Sequence, residues 1–360
     1  MVLYIDNTFG GYLEEHELTL PEQVFFSGLA NSYYEGKCYL CGDVRSLEWL
    51  VKKLGTPANE VFKIALSRYA EDASMIQYVE MIFSLSLTVG EDARQAVPER
   101  FRAKATCLSL AEAMQINWSN GCCLVAENTI DCNFYKYVAQ KYCQEKGLQA
   151  VHTSFHHEMG GGSETAVVLQ KCVGQDHLPV LCVVDSDHKY GRIGGNLPPF
   201  GDTCTRVRRK ETELKKTGNE KTFSVFVIQA HEIENLIPLS VLQKLDLQIC
   251  PTEGIEILQE LVKINDGIPI LYYDFKKGVQ TTGDTPRAQY WRGIFSEVNE
   301  DVKDTYAKIG SEKLLEATVK FFDEYGVGML EVDDHLRQIW NELGSMIFTW
   351  GCAAPPLRAS

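Results

Sequence analysis

Positive charge is in short supply in this sequence: 35 Lys and Arg stand against 49 Asp and Glu, for a formal net charge of −14. That balance excludes a protein that coats nucleic acid through a broadly basic surface, because polyphosphate binding rests on clustered Lys and Arg. Long apolar runs are missing too, and no stretch reaches the roughly 18 uninterrupted apolar residues of a membrane span. The opening Met1-Val2-Leu3-Tyr4-Ile5-Asp6 carries neither the basic nor the long apolar segment of a secretory signal. The chain is therefore expected in the cytosol, away from membranes. It has no Walker A run, so it is not expected to hydrolyse ATP, and no Gly-x-Gly-x-x-Gly for a dinucleotide. Cysteine is plentiful, with 12 residues, but only Cys38 and Cys41 stand at Cys-x-x-Cys spacing. Without a second pair they make no zinc ribbon. The others lie in apolar runs such as Gly121-Cys122-Cys123-Leu124-Val125, the setting of reduced, buried thiols.

What is present points to an α/β chain. At 360 residues, two domains or one domain with large insertions is the expectation. Residues 1–115 read as mixed and α-rich, with short strands at Val2-Ile5 and Cys38-Leu40 and helical periodicity in Leu47-Leu54 and Val61-Tyr69. Residues 116–245 alternate strand-length apolar runs with helical stretches, the pattern of a parallel sheet with crossover helices. The clear strands are Cys122-Ala126, Pro179-Val184 and Phe223-Ile228, with a shorter apolar stretch near Val151. Gly160-Gly161-Gly162-Ser163 is expected to open a helix capped by Ser163. A polar, Gly/Pro-rich insertion is expected over about 188–221. Residues 246–360 read as mainly helical and packed on the sheet.

Functional groups of parallel sheets gather just beyond the carboxyl ends of the strands. Here those ends carry acids: Glu127 after the first clear strand, Asp185 and Asp187 after the next, Glu232 and Glu234 after the last. Asp131 falls one helical turn past Glu127, on the same face. So many like charges would repel unless cations sat among them. Hard oxygen ligands favour Mg²⁺ or Mn²⁺, and two such ions can stabilise both the attacking and the leaving oxygen of a phosphodiester.

The run Leu124-Val125-Ala126-Glu127-Asn128-Thr129-Ile130-Asp131 resembles the Glu-x-x-x-Asp opening of Toprim domains, and Val183-Val184-Asp185-Ser186-Asp187 resembles their Asp-x-Asp strand. His231-Glu232-Ile233-Glu234-Asn235-Leu236 is similar to the Glu-Asn step of Toprim nucleases of the overcoming-lysogenization-defect class and of the stand-alone Toprim effectors that bacteria pair with an ATPase in antiphage defence. The resemblance spans about residues 121–240 and implies a Toprim-like core, with Glu127, Asp185, Asp187 and Glu234 as metal ligands and Asp131 in support. It implies a Mg²⁺- or Mn²⁺-dependent endonuclease acting on DNA or RNA, tRNA included, controlled by an ATPase partner or by self-association. Asn128 stands where Gly is usual, which weakens the match to topoisomerases and primases.

Nucleases of this class also use a basic residue near the scissile phosphate, because charge accumulates there in the transition state. Lys276 or Lys277, in Asp274-Phe275-Lys276-Lys277-Gly278, is the candidate, with Lys189 and Arg192 as second candidates. The insertion's Arg206, Arg208, Arg209, Lys210, Lys215 and Lys216 form a basic segment able to hold a nucleic-acid backbone, or simply a solvated face. His156-His157-Glu158 is read as surface histidine rather than a metal motif. The opening strand through Asp6 resembles that of PIN-type ribonucleases, but the later acids are missing. Two competing readings are a haloacid-dehalogenase-like phosphatase with Asp185 as nucleophile, which would need a downstream Lys and acid pair, and a degenerate Toprim module that only docks.

Overall fold

The computed structural model describes residues 1–11, 17–148, 150–299 and 301–357. Val2–Ile5 (β1) and Tyr39–Gly42 (β2) are strands, but they belong to a larger unit than their brevity suggests. With Ile82–Ser86 (β3) and Ala105–Ser109 (β4) they make a parallel sheet of order β2-β1-β3-β4. The N-terminal region, expected as mixed and α-rich, is thus an α/β unit with its own sheet. β3 and β4 do not stand out in the sequence because Ser84, Ser86 and Ser109 break up their apolar runs.

A second parallel sheet has the order β7-β5-β8-β9, built from Cys122–Ala126 (β5), Phe155–Met159 (β7), Val180–Asp185 (β8) and Phe223–Ile228 (β9). His152–Thr153 (β6) lies just before β7 and pairs antiparallel with Cys352–Ala353 near the C-terminus. β7 is an edge strand with a half-polar sequence, so it reads as a histidine cluster rather than as a strand.

Both faces of this sheet are covered, and alternation along the strands divides the side chains between them. Cys122, Leu124, Ala126, Leu181 and Val183 join one core with Phe134 and Val138 of the helix Thr129–Glu145. Cys123, Val125, Val180, Cys182 and Val184 join another with Leu169 and Val173 of the helix Thr165–Gly174 and Val207 and Leu214 of the helix Asp202–Lys216. This last helix occupies much of the expected polar insertion. Its apolar stripe of Cys204, Val207 and Leu214 is narrow and set among charges, so the sequence reads as a loop. Ser163 is no cap: Gly162–Glu164 is a short 3₁₀ turn leading into the helix at Thr165.

The C-terminal region packs on this sheet. Leu336, Trp340, Leu343 and Ile347 recur every three or four residues along the helix Asp334–Gly351 and are buried. Trp340 meets Phe134 edge to face at 5.9 Å, and Trp350 meets Phe83 of the N-terminal sheet at 5.8 Å. Each such fully buried large side chain contributes about 1.5–3 kcal/mol of hydrophobic stabilisation, so this one helix ties the two sheets into a continuous core. Among the described residues no helix is long and apolar enough to cross a membrane.

Candidate functional site

From β5 the chain goes to β7 on one side, then crosses back to β8 on the other. The switch in direction leaves a crevice at the carboxyl ends of β5 and β8, where such sheets bind ligands. Glu127 follows β5 directly, and Asp185 is the last residue of β8. After β9 the chain turns through Gln229–Glu232 into the 3₁₀ helix Ile233–Leu236, which carries Glu234. On the far side of β5, Gly160–Gly162 folds over Glu127: Gly161 N–H donates to the Glu127 carbonyl at 2.9 Å, and a side chain at Gly162 would begin 3.7 Å from Glu127 Oε2.

Asp185 is tied down on one side only. Its Oδ2 accepts from Ile233 N–H at 3.1 Å, which fixes the β9 turn against β8, while its Oδ1 is buried with no protein partner. Ser186 donates to the Ala230 carbonyl at 2.5 Å and so braces the same turn. Asp187 then adopts a left-handed backbone (φ 56°), a conformation Asp tolerates better than most residues. Asn235 does structural work for the neighbouring acids. Fully buried, it donates to the carbonyls of Ile270 and Tyr273 at 2.7 and 2.8 Å and accepts from Glu232 N–H at 2.9 Å.

Asp131 has a local role: its Oδ2 accepts from Asn128 N–H at 2.9 Å, while Asn128 Oδ1 accepts from Ile130 N–H at 3.2 Å. Asn128, the departure from the Toprim pattern, is thus the N-cap of the helix that follows.

Burial and mutual repulsion act together on these acids. Burial, then the charges of Asp131, Glu127 and Glu234, push the Asp185 carboxyl far above the usual range. Burial raises Asp131 to about 7, with Glu234 and Glu127 adding to the rise and the Asn128 hydrogen bond opposing it. Burial and the Asp187 charge raise Glu127, and burial and Glu234 raise Glu232. The six acids named from the sequence therefore share one electrostatic neighbourhood. The geometry stops short of a preformed cage, however: among the described residues no three His, Cys, Asp or Glu side chains stand grouped to hold a metal ion. In favour of one, buried Asp185 Oδ1, Glu234 Oε2 and Glu232 Oε1 all lack protein partners. These are hard oxygen donors, the donor chemistry that Mg²⁺ or Mn²⁺ takes, though they are not grouped as a ready-made site.

Of the two candidate lysines, only Lys276 reaches the site. Its ammonium lies 2.8 Å from Glu234 Oε1 and 3.1 Å from Glu232 Oε2. Burial works against its charge, but Glu234 and Glu232 more than compensate and hold the ammonium above the ordinary lysine range. Lys277 is exposed and serves the turn through its backbone, donating to Asp274 Oδ1 at 2.8 Å. Asp274 in turn lies 3.7 Å from His231 Nε2 and 3.5 Å from an Arg287 nitrogen. Sequence reading put Glu232 at a strand end but assigned it no ligand role, and it did not find the His231–Asp274–Arg287 contact. Glu232 was visible by position, whereas the His231–Asp274–Arg287 contact depends on long-range packing with no local signature.

The other basic candidates lie further out. Lys189 is exposed, and its carbonyl accepts from Trp291 Nε1 at 3.1 Å. Arg192 donates to the Gly195 carbonyl at 3.0 Å and lines a cleft of about 1850 Å³. Glu145, Asp266, Glu331, Asp333, Asp334 and Glu342 also line it, an unfavourable wall for a polyanion. On the helix Asp202–Lys216, Arg208 pairs with Glu211 at 2.5 Å and Arg209 with Glu213 at 3.2 Å, while Lys210 and Lys215 pair with the same two glutamates. This is largely a self-neutralised helix face. Arg206 is exposed in the second turn of that helix, whose N-terminus begins beside Asp187. Lys215 and Lys216 lie about 20 Å from that N-terminus at 1.5 Å per residue.

No family model matches this chain, and neither the curated proteins nor the solved structures compared with it include a match.

Proposed function

We propose that the chain is a Toprim-type nuclease dependent on Mg²⁺ or Mn²⁺. The observation that carries this reading is that beyond the carboxyl ends of β5, β8 and β9 buried carboxylate oxygens of Asp185, Glu232 and Glu234 have no protein partner, in one electrostatic neighbourhood with Glu127. Glu127, Asp185, Asp187 and Glu234 would hold the metal, with Asp131 in support through the charge it adds and the helix start it fixes. The bound metal would supply Lewis-acid stabilisation of the phosphodiester oxygens. Ile233 N–H ties Asp185 Oδ2 to the turn after β9, and Asn235 braces that same turn at Glu232 N–H. Lys276 places a positive charge where negative charge gathers on the scissile phosphate.

The substrate is a nucleic acid, DNA or RNA, which share the scissile group. With no ATP-binding loop of its own, the chain is proposed to take its control from an ATPase partner or from self-association, as an effector of bacterial antiphage defence. The test is incubation with plasmid, linear DNA and total tRNA in Mg²⁺, Mn²⁺ or EDTA. Cleavage of at least one substrate with metal and none with EDTA is expected. Cleavage that survives EDTA rejects the reading.

One observation favours a second reading. Lys276 between Glu232 and Glu234 is a Lys-and-acid-pair set of the kind a haloacid-dehalogenase-like phosphatase would need downstream of Asp185. Release of phosphate from a small phosphomonoester, with nucleic acid left intact, would select it. A chain that binds no metal at all would be a docking module.

A further inference from the structure

Lys276 is fixed at its backbone and held at its tip by Glu232 and Glu234. The turn 274–278 is closed by Asp274, whose Oδ1 accepts from Lys277 N–H and whose carbonyl accepts from Gly278 N–H, both at 2.8 Å. From that anchor a flexible four-carbon stem carries the ammonium between Glu232 and Glu234. One oxygen of each glutamate meets the lysine, and the other, Glu232 Oε1 and Glu234 Oε2, is buried without a protein partner. The ammonium therefore lies where a cation is required and leaves half the donor capacity of those carboxylates unused.

We propose that Lys276 is an internal counter-cation that competes with the divalent metal for Glu234, so that metal uptake displaces its ammonium from the glutamate pair. Resting on the metal-site reading above, this makes Lys276 a regulator of site loading as well as the positive charge of the site. With metal absent, the lysine offsets the acids and keeps the crevice folded. With metal bound, the released ammonium is still tethered beside the crevice, where a phosphate oxygen of the substrate is the nearest new partner. The same residue would thus make loading costly without substrate and easier with it.

The test is titration of the full chain with Mn²⁺ near neutral pH, following free Mn²⁺ by its electron paramagnetic resonance signal. Wild type, Lys276→Met, Lys276→Arg and Glu127→Gln are compared, and each protein's melting temperature is measured with and without Mn²⁺. Removing the competing charge is expected to tighten Mn²⁺ binding in Lys276→Met by about tenfold or more. Lys276→Arg keeps the charge and should show no such gain. Lys276→Met should melt below wild type without metal and recover when Mn²⁺ is added, which separates charge loss from misfolding. Equal or weaker Mn²⁺ binding by Lys276→Met overturns the proposal. If it is equal, and Glu127→Gln abolishes binding, the metal centre stands and only the competition falls. If none of the proteins binds Mn²⁺, the metal-centre reading fails and takes this inference with it.

Discussion

Gly201 leaves room for the side chain of Asp187. A β-carbon at Gly201 would lie 2.1 Å from Asp187 Oδ2 and 2.4 Å from its Cβ, closer than any real contact allows. Gly201→Ala should therefore push the Asp187 carboxylate out of the crevice and weaken Mn²⁺ binding by about tenfold, the scale of a disturbed ligand support. Unchanged affinity in a titration of this variant would remove Asp187 from the ligand set. Asp131 makes a separate prediction about pH. Its folded carboxyl is raised to about 7, above its value in the unfolded chain, so the folded state holds the extra proton. Stability from this group is then full below the unfolded value, and falls as pH rises from about 4 to about 7. In EDTA the melting temperature should fall less steeply across that window for Asp131→Asn than for wild type. Equal slopes would mean that the charge is already compensated. At this scale the sequence was most readable where an acid directly follows an apolar strand, as with Glu127 and Asp185. It could not decide between Lys276 and Lys277, because adjacent residues in a turn differ only in the direction their side chains take.

The turn after β9 shows how an element can be held by a single side chain. Asn235 joins Ile233–Leu236 to the segment Asn265–Tyr272 through the Ile270 carbonyl, reaches the Tyr273 carbonyl just beyond it, and caps Glu232. Its loss would strand two buried carbonyls and one N–H. Asn235→Ala is expected to cost about 3 kcal/mol or more of unfolding free energy, since each orphaned buried group costs about 1–3 kcal/mol. Urea unfolding measures this, and a cost below about 1 kcal/mol would show that water replaces the side chain. The Glu-Asn step was visible in the sequence as a motif, but its structural half was not: both carbonyl partners lie more than thirty residues away. The strands β5 and β8 were readable because buried parallel strands are written as continuous apolar runs, and β9, a half-buried edge strand, was readable from Val225–Ile228 despite Ser224. β3, β4 and β7 carry serines or histidines and give no such run. The helix Asp202–Lys216 was misread for the opposite reason, since charge dominates it and only a thin stripe is buried.

At the scale of the whole molecule, two parallel sheets are joined by one C-terminal helix, and Glu127 and Asp185 sit at the switch point of the second sheet. Composition foretold that the protein would not be broadly basic, and the large cleft lined by Arg192 follows suit, with acids dominating its walls. On the proposed nuclease reading, that cleft is an unfavourable path for a nucleic acid. The central claim is that Glu127 and Asp185 bind metal for catalysis rather than for folding. The measurement that tests it most directly compares wild type, Glu127→Gln and Asp185→Asn for Mn²⁺-dependent cleavage and, on the same preparations, for melting temperature in EDTA. Removing one charge from a crowded, buried anionic site relieves repulsion. The account therefore predicts that both variants lose cleavage by at least about a hundredfold while melting at or above the wild-type temperature. Variants that cleave like wild type, or that lose activity only because they unfold, would contradict it.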